Sequence, residues 1–250
     1  MSLVQHGTHS DTKRNTAIRL SEMTLRLGVE AIAIWRMHEV MGGGAERAVA
    51  LIQIDEVLDQ PGLVAVGAAE NLDGEITIYD GTAILTRARS AGPLTVTLDT
   101  GTNVGAAYLT TSAVDAWQDV TVDRDLDPKA FEQFLASTAE AGGIDLSKPF
   151  PFVVKGHVAG LRAHVVKGAC PMRPGAVIGE DQKPWVYEPL DRVAATVVGF
   201  RAAESVGNLT HPGTTLHAHA IFQVDGANVT GHVERMSVLR GALVRIPRLR

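Results

Sequence analysis

Asp225-Gly226 constrains this chain more than any other dipeptide in it. Asp-Gly is among the strongest signals for a two-residue hairpin turn, whose central positions need positive φ. β-prone residues flank it on both sides, in Leu216-His-Ala-His-Ala-Ile-Phe-Gln-Val224 and Val229-Thr-Gly-His-Val-Glu234. With the dipeptide as the turn, counting outward sets His219 opposite His232 and His217 opposite Glu234. Side chains two apart on a strand share a face, so His217, His219 and His232 are expected to converge. Directly opposed residues have Cβ atoms roughly 4.5–5.5 Å apart, close enough for three imidazoles to share one cation. Three neutral imidazoles with room for water often hold catalytic zinc. The competing reading is a hairpin showing its histidines to solvent, where Thr, Lys and Glu are the commoner occupants.

The 250 residues are 45% hydrophobic and 20% charged with a net charge of −5, which suits a soluble globular protein with a large core. One β-rich domain or two small ones fit that length. The acidic balance argues against nucleic acid, and Arg235, Arg240, Arg245, Arg248 and Arg250 are too spread out to form a basic run. Cys170 is the only cysteine, so no intramolecular disulfide is possible and a reducing compartment fits. Its neighbours Gly168-Ala-Cys-Pro-Met172 offer no partner for a nucleophile, so it reads as a half-buried structural thiol. No apolar run approaches the roughly 20 residues that span a bilayer, and no basic-then-apolar leader opens the chain. The expected location is cytoplasmic, without membrane contact.

Residues 1–24 are polar and aperiodic and read as a flexible arm, in which His6 and His9 are not expected to bind metal. Leu27 to Met41 reads as a strand broken by Gly42-Gly-Gly44, and Ala45 to Leu58 as a helix stopped by Pro61-Gly62. Leu63 to Ala69 is strand-like. Asp73-Gly74 and Asp80-Gly81 then bracket alternating residues, a β-meander with Glu75, Thr77 and Tyr79 on one face. Thr95 to Leu98 and Asn103 to Thr110 continue the β character. Asp127 as N-cap and Pro128 at the first position open a helix that Gly142-Gly143 closes. Further strands are expected at Phe152–Val154, Leu161–Val166, Ala194–Phe200, Leu216–Val224 and Val229–Leu239, punctuated by glycines such as Gly156 and Gly160. No nucleotide-binding glycine motif occurs. The pattern predicts an α+β, β-rich fold of mixed or antiparallel sheets with a few helices.

Leu72-Asp-Gly-Glu-Ile-Thr-Ile-Tyr-Asp-Gly81, Asp181-Gln-Lys-Pro-Trp185, Thr196-Val-Val-Gly-Phe200, Pro212-Gly213, His217-x-His219 and Gly231-His-Val233 follow one another in an order that resembles the α-acetolactate decarboxylase family. The resemblance covers roughly residues 34–245. It implies an acetolactate decarboxylase-like domain over 25–250, in two tightly packed β-rich halves at about 25–125 and 126–250. It also implies a zinc enzyme that turns 2-acetolactate into acetoin and CO₂. By the same resemblance His217, His219 and His232 are the metal ligands and Glu75 the active-site glutamate. The spacing before His232 is about two residues longer than in the family, an even insertion that preserves strand parity.

Two family positions are changed. Its substrate-binding arginine falls at Val153 and a threonine at Ala68. The chain ends soon after Ile246-Pro247, so the family's tail, with a second catalytic glutamate, is expected to be missing. Decarboxylation of a β-keto acid needs a polarised keto oxygen, a positive clamp for the carboxylate and an acid to reprotonate carbon. Arg162 or His164, which replaces a family arginine, is the candidate clamp. Glu234 is the candidate for the missing acid, or it orients a ligand. His157 and His164 are additional to the family pattern, and a structural role is the simpler reading of each. The expected function is therefore a Zn²⁺-dependent carboxy-lyase acting on a small-molecule keto or hydroxy acid. The alternatives are another metal-dependent lyase, isomerase or hydrolase on such an acid, or a non-catalytic metal-binding module of the same fold. A homodimer is compatible with this reading.

Overall fold

A computed structural model describes residues 25–27, 30–35, 49–172, 175, 177–203, 209–211 and 213–249. The arm at 1–24, with His6 and His9, and the glycines at 42–44 lie outside the described residues. β1 (Leu25–Leu27), β2 (Glu30–Trp35), β3 (Ile52–Gln53), β4 (Leu63–Ala69), β5 (Glu75–Tyr79), β6 (Thr82–Arg89), β7 (Gly92–Leu98) and β8 (Gly105–Ala113) form the first sheet. Its order is β1-β2-β8-β4-β5-β6-β7, with β3 added to β8. The second sheet contains β9 (Trp117–Thr121), β10 (Phe150–Val165), β11 (Trp185–Leu190), β12 (Val193–Arg201), β13 (Leu216–Val224), β14 (Ala227–Val238) and β15 (Leu243–Pro247). Its order is β12-β13-β14-β10-β15-β9, with β11 on β10. The pairings among these strands are antiparallel. No helix among the described residues is long and apolar enough to cross a membrane.

Of the helix expected over Ala45–Leu58, residues 45–48 lie outside the described residues. In the described part Ile52–Gln53 pair with the edge of β8, and Asp55–Leu58 (α1) turn helically. Ile54 is fully buried among Leu63, Ile76 and Leu109, so packing against the first sheet overrides the local helical spacing. The second helix, α2 (Pro128–Ala141), follows its sequence signals. The Asp127 side chain accepts the Ala130 N–H at 2.7 Å, and Gly142 caps the far end. Phe131, Leu135 and Ala139 recur on one face and pack into the core of the second sheet.

β10 explains how the second sheet is built. Two strands were expected, at 152–154 and 161–166, but one 16-residue strand runs through both. Its first half pairs with β12 and its second half with β14, so β10, β12, β13 and β14 close a ring. The strand changes partner at Val158, between Gly156 at φ 150° and Gly160 at φ 57°. A side chain at Gly156 would also meet Ala242 Cα at 2.8 Å. The bend is thus a glycine device, not a strand end.

Two kinds of contact join the sheets. Val64 and Val66 from β4 pack with Val153, Val198 and Phe200 from the second sheet. Beside this apolar seam, Thr77 Oγ1 lies 2.5 Å from Thr230 Oγ1, and the Thr230 N–H donates to Thr86 Oγ1 at 2.9 Å. The face that carries Glu75 and Thr77 is therefore pressed against the histidine-bearing hairpin.

Candidate metal centre

The hairpin forms in the register that its turn predicts. Asp225 and Gly226 have φ values of 50° and 81°, and His219 stands opposite His232. The β13–β14 ladder ends at that pair. Beyond it β14 pairs with β10, with His164 opposite His232. Glu234 consequently does not serve His217, contrary to expectation. It accepts hydrogen bonds from Arg162 Nε at 2.6 Å and from His164 Nδ1 at 2.9 Å.

Five imidazoles meet here. Ring centroids are 5.1 Å apart for His217–His232, 5.3 Å for His217–His219 and 5.6 Å for His219–His232. His211 lies 4.7 Å from His232, and His164 lies 4.9 Å from it on another side. Among the described residues, the three that bring ring nitrogens within 4.8 Å of one another are His211, His217 and His232, all buried. Two of the three sequence-derived ligands thus belong to the trio. The third, His219, borders it with its Nδ1 3.1 Å from the Ile76 carbonyl and 3.1 Å from Thr77 Oγ1. An Nδ1–H donated to that carbonyl leaves the Nε2 lone pair for a metal or a proton.

Four of these rings, His211, His217, His219 and His232, are held neutral. Burial drives His211 down to about 4 and His219 down to about 3, each reinforced by the nearby His164. His217 and His232 are pushed well below the ordinary histidine value, first by burial and then by the surrounding imidazoles. Neutral imidazole is the form that binds metal, so desolvation prepares these rings as ligands. Glu234 goes the other way. The His164 hydrogen bond, ahead of Arg162, holds its carboxyl down to about 2.

Glu75, at the start of β5, reaches the cluster as expected. Its Oε1 accepts the Val166 N–H at 3.3 Å, and its Oε2 stands 3.5 Å from His219 Nε2. Burial pushes Glu75 up to about 8, opposed by the Val166 N–H. With His219 lowered and Glu75 raised, the contact at neutral pH joins a carboxylic acid to a neutral imidazole and is not an ion pair. Tyr108 completes this side, its hydroxyl hydrogen-bonded to His217 Nε2 at 3.2 Å. Ala68, Glu75, Tyr108, His164 and Cys170 border a cavity of about 10 Å³ that also touches His211 and His232. Cys170, partly buried as expected, also forms a wall of the site's small cavity.

Of the other candidate residues, Arg162 stays at the half-exposed rim, and His157 is exposed and joins nothing in the cluster. Val153 is fully buried in the apolar seam between the sheets, so no charge enters from that position. His211 and Tyr108 were missed by sequence reasoning. His211 lies outside the strands, just before Pro212, and Tyr108 is one apolar position among many in β8. Neither position carries a local signal.

Four buried polar atoms around the cluster make no geometric hydrogen bond: Nδ1 of His211 and of His217, and Nε2 of His219 and Oε2 of Glu75, the last two facing each other at 3.5 Å. An unmet buried polar group costs about 1–3 kcal/mol, so such a concentration points to a missing ligand. Three buried histidines could hold a metal ion, and the nitrogen-rich donor set suits a divalent transition metal.

The sequence profile of alpha-acetolactate decarboxylase matches residues 38–248. The chain belongs to that family. A search of curated protein sequences finds no match. The fold is shared with alpha-acetolactate decarboxylase from Bacillus subtilis strain 168, with a TM-score of 0.61 at 18% identity over 84% of this chain and 82% of that one. Acetolactate decarboxylase from Bacillus subtilis subspecies spizizenii gives a TM-score of 0.61 at 20% identity over 85% and 83%. A Staphylococcus aureus protein of unknown function, similar to alpha-acetolactate decarboxylase, gives 0.58 at 15% over 84% and 82%. These identities make the chain a divergent acetolactate decarboxylase family member, and the family points to a lyase.

Proposed function

We propose that this chain is a zinc-dependent carboxy-lyase converting 2-acetolactate to acetoin and CO₂. The observation that carries the reading is the set of four orphaned polar atoms around neutral histidines, in a member of this family. His211, His217 and His232 would hold the ion, with His219 and Glu75 at its side. A divalent cation there supplies Lewis acidity to the keto and hydroxy oxygens of the substrate. As the bond to the carboxylate carbon breaks, CO₂ leaves and its electron pair passes toward the keto oxygen. Glu75, protonated in its buried setting, then gives its proton to carbon and completes acetoin. Tyr108 fixes the His217 ring. Glu234 anchors both Arg162 and His164, placing the two candidate clamps on one carboxylate.

The buried Val153 and the small Ala68 favour a second reading of the same centre, another lyase, isomerase or hydrolase on a small keto or hydroxy acid. Assay of zinc-loaded protein for acetoin and CO₂ from acetolactate separates the two. Turnover supports the decarboxylase, and zero turnover with zinc bound overturns it.

A further inference from the structure

We infer that the substrate's organic tail lies in a second cavity, on the α2 side of the histidines, and that the chain selects acids with an extended alkyl or aromatic substituent. The inference rests on the metal-centre reading above. The cavity beside Glu75 measures about 10 Å³, roughly the least that holds one water, so no substituent fits there. A second cavity of about 320 Å³, bordered by Pro128, Phe131 and Glu132 of α2, reaches the same two rings, His211 and His232. That volume falls in the range of small-molecule sites, roughly 300–1,000 Å³.

Its walls are mainly apolar: Phe131 from α2, Phe152 from β10, Leu216 from β13, Met236 from β14, and Met172. The acids at its rim are already engaged. Glu132 accepts the Thr215 hydroxyl, and Glu234 is held by Arg162 and His164. Arg235 also borders the cavity but is exposed, so the buried polar groups of the cavity are the histidines, His211 and His232. A keto or hydroxy acid sits with its oxygens toward these rings and its substituent among the phenylalanine and methionine side chains. A methyl group, as in acetolactate, leaves most of this space to water. Burial of each further methylene against these walls is expected to tighten binding about fourfold, with the unbranched Met172 adapting to the shape of the tail.

Calorimetry on zinc-loaded protein with three unreactive acids, lactate, 2-hydroxyhexanoate and 3-phenyllactate, tests this. Expected is a rise in affinity from lactate to each longer acid, lost in Leu216→Trp and in Met172→Trp while metal analysis shows zinc retained. Met172→Trp alters a position outside every strand and helix, so it decides the matter if Leu216→Trp fails to fold. Equal affinity for the three acids, binding of none, or a tail preference that survives both variants overturns the inference. Tail-dependent binding without CO₂ release from any keto acid would remove the decarboxylase reading and leave this one standing.

Discussion

Acidification of the metal-free protein is expected to destabilise it steeply, because four histidines are folded in their neutral form. In the unfolded chain each has an ordinary value near 6.5. In the fold His211 is near 4, His219 near 3, and His217 and His232 are well below 6.5. Between pH 7 and pH 5.5 the unfolded chain takes up protons at these positions and the folded chain does not, so stability falls as pH falls. Glu75 opposes this. Its folded value of about 8 against 4.5 unfolded means that the folded state holds the proton, a contribution present below 4.5 and lost as pH rises through 8. Integrated over that window, the four histidines cost about 5 kcal/mol and Glu75 returns about 2, a net loss of about 3 kcal/mol. For a chain of this size the corresponding fall in Tm is about 6–12 °C. Calorimetry after chelation, at pH 7 and pH 5.5, reads it directly. A His232→Gln variant should show about a quarter less of the histidine term. A flat or rising Tm on acidification would refute neutral burial of the cluster.

Glu75→Gln is expected to retain zinc and to lose turnover by about a hundredfold or more, read as steady-state acetoin formation alongside metal content. His211→Ala should weaken zinc binding as strongly as His217→Ala in chelator competition; a loss confined to His219→Ala and His217→Ala would restore the sequence-derived trio. Asp127→Ala removes the cap on Ala130 N and should cost about 1 kcal/mol by thermal melting, with zinc affinity unchanged.

The parts of the fold that proved legible were those with local chemistry. The Asp225-Gly226 turn determined which residues of β13 and β14 face each other, and with them the His219–His232 pair. Asp127 and Pro128 marked the start of α2 for reasons contained in four residues. Legibility ended where a strand changed partners. Glu234 was expected beside His217 because the hairpin ladder was extended too far, whereas β14 leaves β13 at His232 and gives its next residues to β10. The same long-range pairing places His164, expected as a candidate clamp or a structural histidine, at the edge of the cluster. His211 entered the trio from outside any strand, at a position that only tertiary packing determines. Glu75 was named by the family resemblance; alternation added only that it shares a face with Thr77, which docks on Thr230.

A metal at the histidines is what the proposed chemistry requires, and anomalous diffraction at the zinc edge from crystals of the zinc-loaded protein measures it directly. Expected is one zinc per chain, bonded to His211, His217 and His232 at about 2.0–2.1 Å. Crystals grown with zinc in excess that show no anomalous peak among these rings would contradict it.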